Sequence, residues 1–188
     1  MDDDERDFRE FVTTRWSALV GTAFLITTDR GIAEDCVQEA LTRVHRRWGA
    51  LRREGNPGAY VHRSVVNAAL SWKRRRRIRE VPLAGVMHPA DPGAQQAQDA
   101  AGGWDPQLLA ALRSLPPRMR AVVVLRYLED RSETETAALL GCSAGTVKSA
   151  ASRGLTKLRA AVGPPSAAPP DPRIPRAGLP RTTPEGAL

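Results

Sequence analysis

Residues 115–159 read LPPRMRAVVVLRYLEDRSETETAALLGCSAGTVKSAASRGLTKLR: a helical run, a short helix, a turn and a longer helix, punctuated at each boundary. Ser132 and Glu135 form an S-x-x-E capping box, in which each side chain satisfies a backbone N–H that the first helical turn leaves open. Gly141 ends that helix where a left-handed backbone is needed and glycine adopts it without steric cost. Ser143 offers an N-cap hydroxyl to the next helix, which runs on through Arg159. Ala137 is small enough for close helix approach, and Val147 is the aliphatic residue that packs the second helix back. A small residue, a turn glycine and a buried aliphatic at these positions are what a DNA-reading helix-turn-helix requires. The other face of the second helix carries Thr146, Lys148, Ser149, Ser152 and Arg153, polar and basic, and suited to a major groove.

Outward from this block, apolar residues recur at helical spacing. Leu108, Leu109, Leu112 and Leu115 follow an Asp105-Pro106 start, and Val122, Val124, Leu125 and Leu128 follow Pro116-Pro117. Nearer the N-terminus, Phe8, Phe11, Val12, Leu19, Val20, Ala23 and Ile26 mark a first amphipathic helix. Asp29 can cap a second, with Ala33, Cys36, Val37, Ala40, Leu41 and Val44 inside. Asn56-Pro57 starts a third, whose apolar side is Val61, Val65, Ala68 and Trp72. No stretch alternates every second residue between hairpin turns, so the expected class is all-α.

Charge divides the chain more sharply than hydropathy. Residues 1–79 carry net +5, residues 80–105 hold four acids and no Lys or Arg, residues 107–162 carry net +5, and residues 163–188 add +1. The middle segment is rich in Ala, Gly, Pro and Gln without a sustained period, and reads as a flexible acidic linker. The last 26 residues contain eight prolines and read as a disordered tail. The expected layout is a helical domain at 1–79, a linker at 80–105, a helix-turn-helix domain at 106–162 and the tail at 163–188.

A net charge of +7 favours a polyanionic partner, nucleic acid before membrane. Two cysteines, both expected to be buried, and three scattered histidines argue against a disulfide framework or a zinc site. No paired carboxylates, phosphate loop or Ser/His/Asp arrangement is visible, so neither catalytic residue, metal nor cofactor is expected. The N-terminus MDDDERDF is the opposite of a secretory signal, and no apolar run approaches the ~20 residues of a membrane span. A cytoplasmic protein is expected.

Three segments then carry a family resemblance: IAEDCVQEALTRVHRRW (residues 32–48), NPGAYVHRSVVNAALSWKRRRR (residues 56–77) and the 115–159 block. They resemble bacterial RNA polymerase sigma factors of the sigma-70 family, in its extracytoplasmic-function (ECF) subfamily, which keeps sigma regions 2 and 4. The third helix looks most like an actinobacterial group. The resemblance covers about residues 6–79 and 106–160, in the family's order. It implies a region 2 bundle and a region 4 helix-turn-helix domain joined by the linker.

It also implies three surfaces. Ser143, Thr146, Lys148, Ser149, Ser152 and Arg153 would read a −35 promoter element by hydroxyl, charge and bidentate contacts. Arg63, Asn67, Ser71 and Arg74 share a face of the third helix, and with Arg75 and Arg76 and the loop residues Arg52 and Arg53 would read the −10 element. Asn67 can pair bidentately with adenine. Residues 49–55 correspond to the loop that holds an extruded base, and Trp48, Tyr60 and Trp72 are the few aromatics near separated strands, Trp72 reading as core. Asp35, Gln38, Glu39, Thr42 and Arg43 would dock on a coiled coil of the polymerase's largest subunit, helped by packing from Val37 and Leu41.

The implied partners are core RNA polymerase, through that coiled coil and the flap region, and promoter DNA. Many members of the subfamily also have an anti-sigma factor that covers both domains. The implied function is promoter-specific initiation, with a linker that threads the polymerase channel or only spaces the two readers. The alternative is a stand-alone helix-turn-helix regulator that binds an operator without polymerase.

Overall fold

The computed structural model describes residues 3–79 and 104–162, with side chains as far as Trp72 and again from Trp104. The tail, and the linker as far as residue 103, lie outside the described residues. Among those described, every regular element is helical. The first unit holds α1 (Asp3–Thr27), α2 (Arg30–His45), α3 (Trp48–Arg53) and α4 (Pro57–Arg79). The second holds α5 (Pro106–Ser114), α6 (Pro117–Val123) running into a π-helical turn (Val124–Leu128), α7 (Glu133–Leu140) and α8 (Ala144–Val162).

The caps sit where the sequence puts them. Asp29 Oδ1 accepts from the Ile32 N–H at 2.9 Å, and Asn56 Oδ1 from Ala59 at 3.0 Å. Asp105 accepts from Gln107 at 2.8 Å. Asp105, read from the sequence as the start signal of this helix, is its cap, and Trp104 packs on the core. The Ser132–Glu135 box is closed in both directions, at 3.1 and 2.8 Å, and Gly141 is left-handed at φ 63°. Each cap of this kind contributes about 1 kcal/mol.

α1, α2 and α4 form the first bundle around Ala33, Val37, Ala40, Val44, Val61, Val65 and Val66. Residues 49–55, expected to be a loop, mostly belong to the short helix α3, held by Leu51 in the core. Trp48 is 3% exposed. Its indole N–H donates to Asp7 at 2.9 Å, and Phe8 and Phe11 pack on its ring, so it is a core residue and not a surface for a base. Trp72, expected in the core, is half-buried.

The second unit packs α8 against α5, α6 and α7. Ala137, Val147 and Ala151 fill the contact within the helix-turn-helix. Gly154 is buried because α6 crosses there: an added Cβ would lie 2.6 Å from Val123 Cγ2. Cys36 is buried, as expected, while Cys142 is only half-buried.

The sequence reading does not anticipate how the two units meet. A single apolar core runs from Leu19, Leu25 and Ile26 through Leu112, Leu115 and Leu125. Residues 19–20 and 22–27 of α1 are buried on every side, the pattern of a helix covered by neighbours all round. α6 packs on both α1 and α4, and α7 packs on α4.

Candidate nucleic-acid interface

The upper part of α8 is built to present its side chains. Val147, Ala151 and Gly154 turn inward at spacings of four and three, which leaves Thr146, Lys148, Ser149, Ser152 and Arg153 exposed together. Ser143 is also exposed, but its hydroxyl is committed to the cap: it accepts from the Thr146 N–H at 3.2 Å and lies 2.9 Å from the Thr146 hydroxyl. Ser149 Oγ donates back to Gly145 O at 2.6 Å, and Arg153 Nε to Ser149 O at 3.2 Å. Lys148 and Ser152 stand clear of these local bonds, so the six expected residues form one exposed surface with unequal freedom.

On α4, Arg63 and Asn67 are exposed one turn apart, opposite Val61, Val65 and Val66. Ser71 is half-buried and donates to Asn67 O at 2.7 Å, so its hydroxyl is spent on the helix. Arg74, Arg75 and Arg76 continue the helix, but their side chains lie outside the described residues.

Arg52 differs most from the expectation. Its guanidinium is paired with Asp4 at 2.9 Å and Asp7 at 3.1 Å, and the hydrogen bond it donates to Asp4 leads the effects that raise its pKa. The acidic first turns of α1 thus fold over the residue expected to meet a phosphate. Arg53 is exposed beside it.

Of the three aromatics expected near separated strands, Tyr60 at the start of α4 is the one that the fold leaves exposed. Tyr60 is 40% exposed, and the Arg47 guanidinium stands 5.9 Å from its ring centroid. Tyr60, Arg63 and Asn67 follow at spacings of three and four, so they share a face. With Trp48 in the core and Trp72 half-buried, Tyr60 is the large exposed aromatic of the first unit among the described residues. The sequence reading names Tyr60 but not its register with Arg63 and Asn67.

On α2, Asp35, Gln38, Glu39, Thr42 and Arg43 are all exposed. Glu39 and Arg43 are paired at 2.5 Å, and Thr42 Oγ1 donates to Gln38 O at 2.8 Å. Val37 and Leu41, expected to help docking, are 0% and 7% exposed and belong to the bundle core, so they offer no surface to a partner. Among the described residues no group of His, Cys, Asp or Glu could hold a metal ion, and no helix is long and apolar enough to cross a membrane.

Comparison with known proteins agrees with this arrangement. Residues 11–78 match the model of sigma-70 region 2, and residues 106–158 match that of sigma-70, region 4. The RNA polymerase sigma-E factor of Streptomyces coelicolor is 40% identical over 154 residues, covering 81% of this chain and 84% of that protein. The ECF RNA polymerase sigma factor SigM of Mycobacterium tuberculosis is 35% identical over 132 residues, covering 70% of this chain and 64% of that protein. Among solved structures, the sigma factor RpoE of Bartonella quintana, in complex with the anti-sigma factor NepR, superposes with a TM-score of 0.62 at 24% identity. That match covers 84% of this chain and 97% of the other, and is a likeness of fold. With region 2 before region 4, and close relatives among actinobacterial sigma factors, the chain belongs to the sigma-70 family, ECF subfamily.

Proposed function

We infer that this chain is a promoter-specificity subunit: it binds core RNA polymerase and directs initiation at promoters with −10 and −35 elements. The observation that carries this is the coexistence in one chain of both readers, α8 with its exposed Lys148 and Arg153, and α4 with its exposed Arg63 and Asn67. A stand-alone operator-binding regulator needs only the first. As an initiation factor it has no reaction of its own to catalyse, and it would act in the cytoplasm with its polymerase.

In this reading α8 enters the major groove of the −35 element, with Lys148 on phosphate and Ser152 and Arg153 at base edges. Asn67 reads a base of the −10 element, Arg63 and the basic end of α4 hold its backbone, and Tyr60 stacks on a separated base. Base stacking on an aromatic contributes about 1–3 kcal/mol, enough to favour an opened strand. Arg52 joins only by exchanging Asp4 and Asp7 for phosphate. α2 docks on polymerase through Asp35, Gln38, Glu39, Thr42 and Arg43. Because Val37 and Leu41 are spent on the core, that contact is polar, and its specificity rests on charge. An anti-sigma partner is a proposal of the same kind.

Runoff transcription with core polymerase on a promoter library tests the function. Start sites that depend on this chain are expected, and Asn67→Ala should shift the preferred −10 base without weakening association with polymerase. Tight operator binding by the free chain with no new start sites would establish the regulator instead.

A further inference from the structure

The chain has a net charge of +7, yet residues 1–10 hold six acids against two cations. So acidic a start opposes a nucleic-acid partner, and neither reader uses it. The fold shows where these acids go. Asp4 and Asp7 pair with Arg52 of α3 at 2.9 and 3.1 Å. Asp7 also accepts from the Trp48 indole, and Glu5 lies 2.8 Å from His45 Nε2 at the end of α2. Three acids from the first turns of α1 thus meet the segment from His45 to Arg52.

Gly49 is fitted to this contact. An added Cβ there would run into Asp4 Oδ2, so the carboxylate lies directly against the α3 backbone. A larger residue at Gly49 would push it aside. The pairs are nevertheless open to water: the side chains of Arg52, Asp4 and Asp7 are 42%, 44% and 42% exposed. Ion pairs this exposed are weak and readily exchanged. The next part of α1 is fastened by other means, with Phe8 and Phe11 packed on the Trp48 ring. The acidic turn can therefore give up Arg52 without α1 leaving the bundle.

Carboxylates and phosphates compete for a guanidinium because its planar fork matches both. Here they do not compete on equal terms. Arg52 already has two carboxylates within reach, whereas a phosphodiester brings one charge. A strand that takes their place also lies beside the two anions it has displaced. The exchange therefore favours a strand that other contacts already hold. Those contacts are close by: a cleft lined by Asp7 and Arg52 reaches Pro57, where α4 begins, three residues before Tyr60.

Resting on the promoter-reading function above, we propose that Asp4 and Asp7 are specificity-determining residues: they stand in for phosphate on Arg52, so that a strand gains this contact only once α4 holds it. Sequence-independent capture at α3 is suppressed. The Arg52 contact is reserved for a strand seated on Tyr60, Arg63 and Asn67.

Asp4→Asn together with Asp7→Asn in the full chain is the test. Asparagine keeps an acceptor for the Trp48 indole and removes both charges. Binding of fluorescent oligo-dT, which offers phosphates without a promoter sequence, is followed by anisotropy at several salt concentrations. The double variant should bind it about five- to tenfold more tightly than wild type, with the slope of log affinity against log salt steeper by about 0.7, as for one added phosphate on a single strand. Adding Arg52→Ala should cancel both changes. Preference for a −10 strand found by runoff over oligo-dT should narrow, since that strand already makes the Arg52 contact in wild type. If the double variant loses helicity by circular dichroism, Gly49→Ala is read in its place. It keeps both carboxylates but displaces Asp4, and the same tightening, cancelled by Arg52→Ala, is expected. Unchanged affinity or an unchanged preference would overturn the proposal. So would a gain that survives Arg52→Ala, because lost negative charge would then act through space alone. If wild type initiates nowhere the promoter-reading function fails, while oligo-dT still reports on the exchange at Arg52.

Discussion

Lys148 and its neighbours show how local bonding ranks residues that a sequence treats as equals. Ser143, Thr146 and Ser149 share hydroxyls and backbone atoms within the first turns of α8. Each must break or share a bond to meet DNA, so each offers less than a polar residue at that position suggests. Lys148 is exposed and acts by charge, which needs no fixed geometry. Lys148→Ala should therefore weaken −35-dependent binding about equally across sequences. The slope of log affinity against log salt should fall by about one, as for one lost phosphate contact. Titrations at several salt concentrations check this, and a sequence-dependent loss with the slope unchanged would make Lys148 a base reader.

At the scale of elements, α2 is fixed from both sides. Its inner stripe, Ala33, Val37, Ala40 and Val44, is wholly buried, so its outer stripe is the face left for a partner. With no aliphatic residue to spare, reversing charge should disrupt docking more than truncation does. Asp35→Lys together with Glu39→Lys is expected to abolish co-purification with core polymerase while leaving the fold intact. Glu39 is already paired with Arg43, so the double change also sets two cations one turn apart. Co-purification at the wild-type level would remove α2 from the interface. How legible each element was in the sequence follows from how local its causes are. Caps at Asp29, Asn56, Asp105 and Ser132 involve residues two or three apart, and they placed the starts of α2, α4, α5 and α7. α3 was read as a loop because it has six residues and no side-chain cap; Leu51 and Trp48 hold it from the core. Arg52 looked like a phosphate contact because its carboxylate partners lie 45 and 48 positions earlier on another helix. Nothing local in the sequence marks Arg120 or Glu129 either, since their partners in the first unit, Ile26, Thr22 and His62, are 67 to 107 positions away.

For the whole molecule, Glu129 makes the packing of the two units sensitive to acid: its buried carboxylate, just after the π-helical turn, accepts from the Thr22 hydroxyl of α1 and lies 2.9 Å from His62 Nε2 of α4. Burial alone would raise the pKa of Glu129, but His62, the Thr22 hydroxyl and Arg131 outweigh it and bring the carboxyl from 4.5 down to about 2. A carboxyl whose folded pKa lies below its unfolded one stabilises the folded state fully above the unfolded value, and loses that contribution as pH falls through the folded one. Here the window runs from about pH 4.5 down to about pH 2. The gap corresponds to about 3 kcal/mol at 1.36 kcal/mol per unit. Other carboxylates are lowered too, Glu5 by its hydrogen bond with His45 and Glu135 by that with Ser132, but both lie within one unit. Their protonation loosens the start of α1 or α7, while that of Glu129 acts on the boundary with α1 and α4. Acid should therefore part the units before it unwinds them. The radius of gyration is expected to rise across this window while helicity by circular dichroism still holds, with helix loss following at lower pH. Glu129→Gln cannot titrate there, so its radius should change only with its helicity. If the two signals move together in wild type, and Glu129→Gln follows the same curve, the boundary between the units is held by its apolar contacts and the charged pair does not govern it.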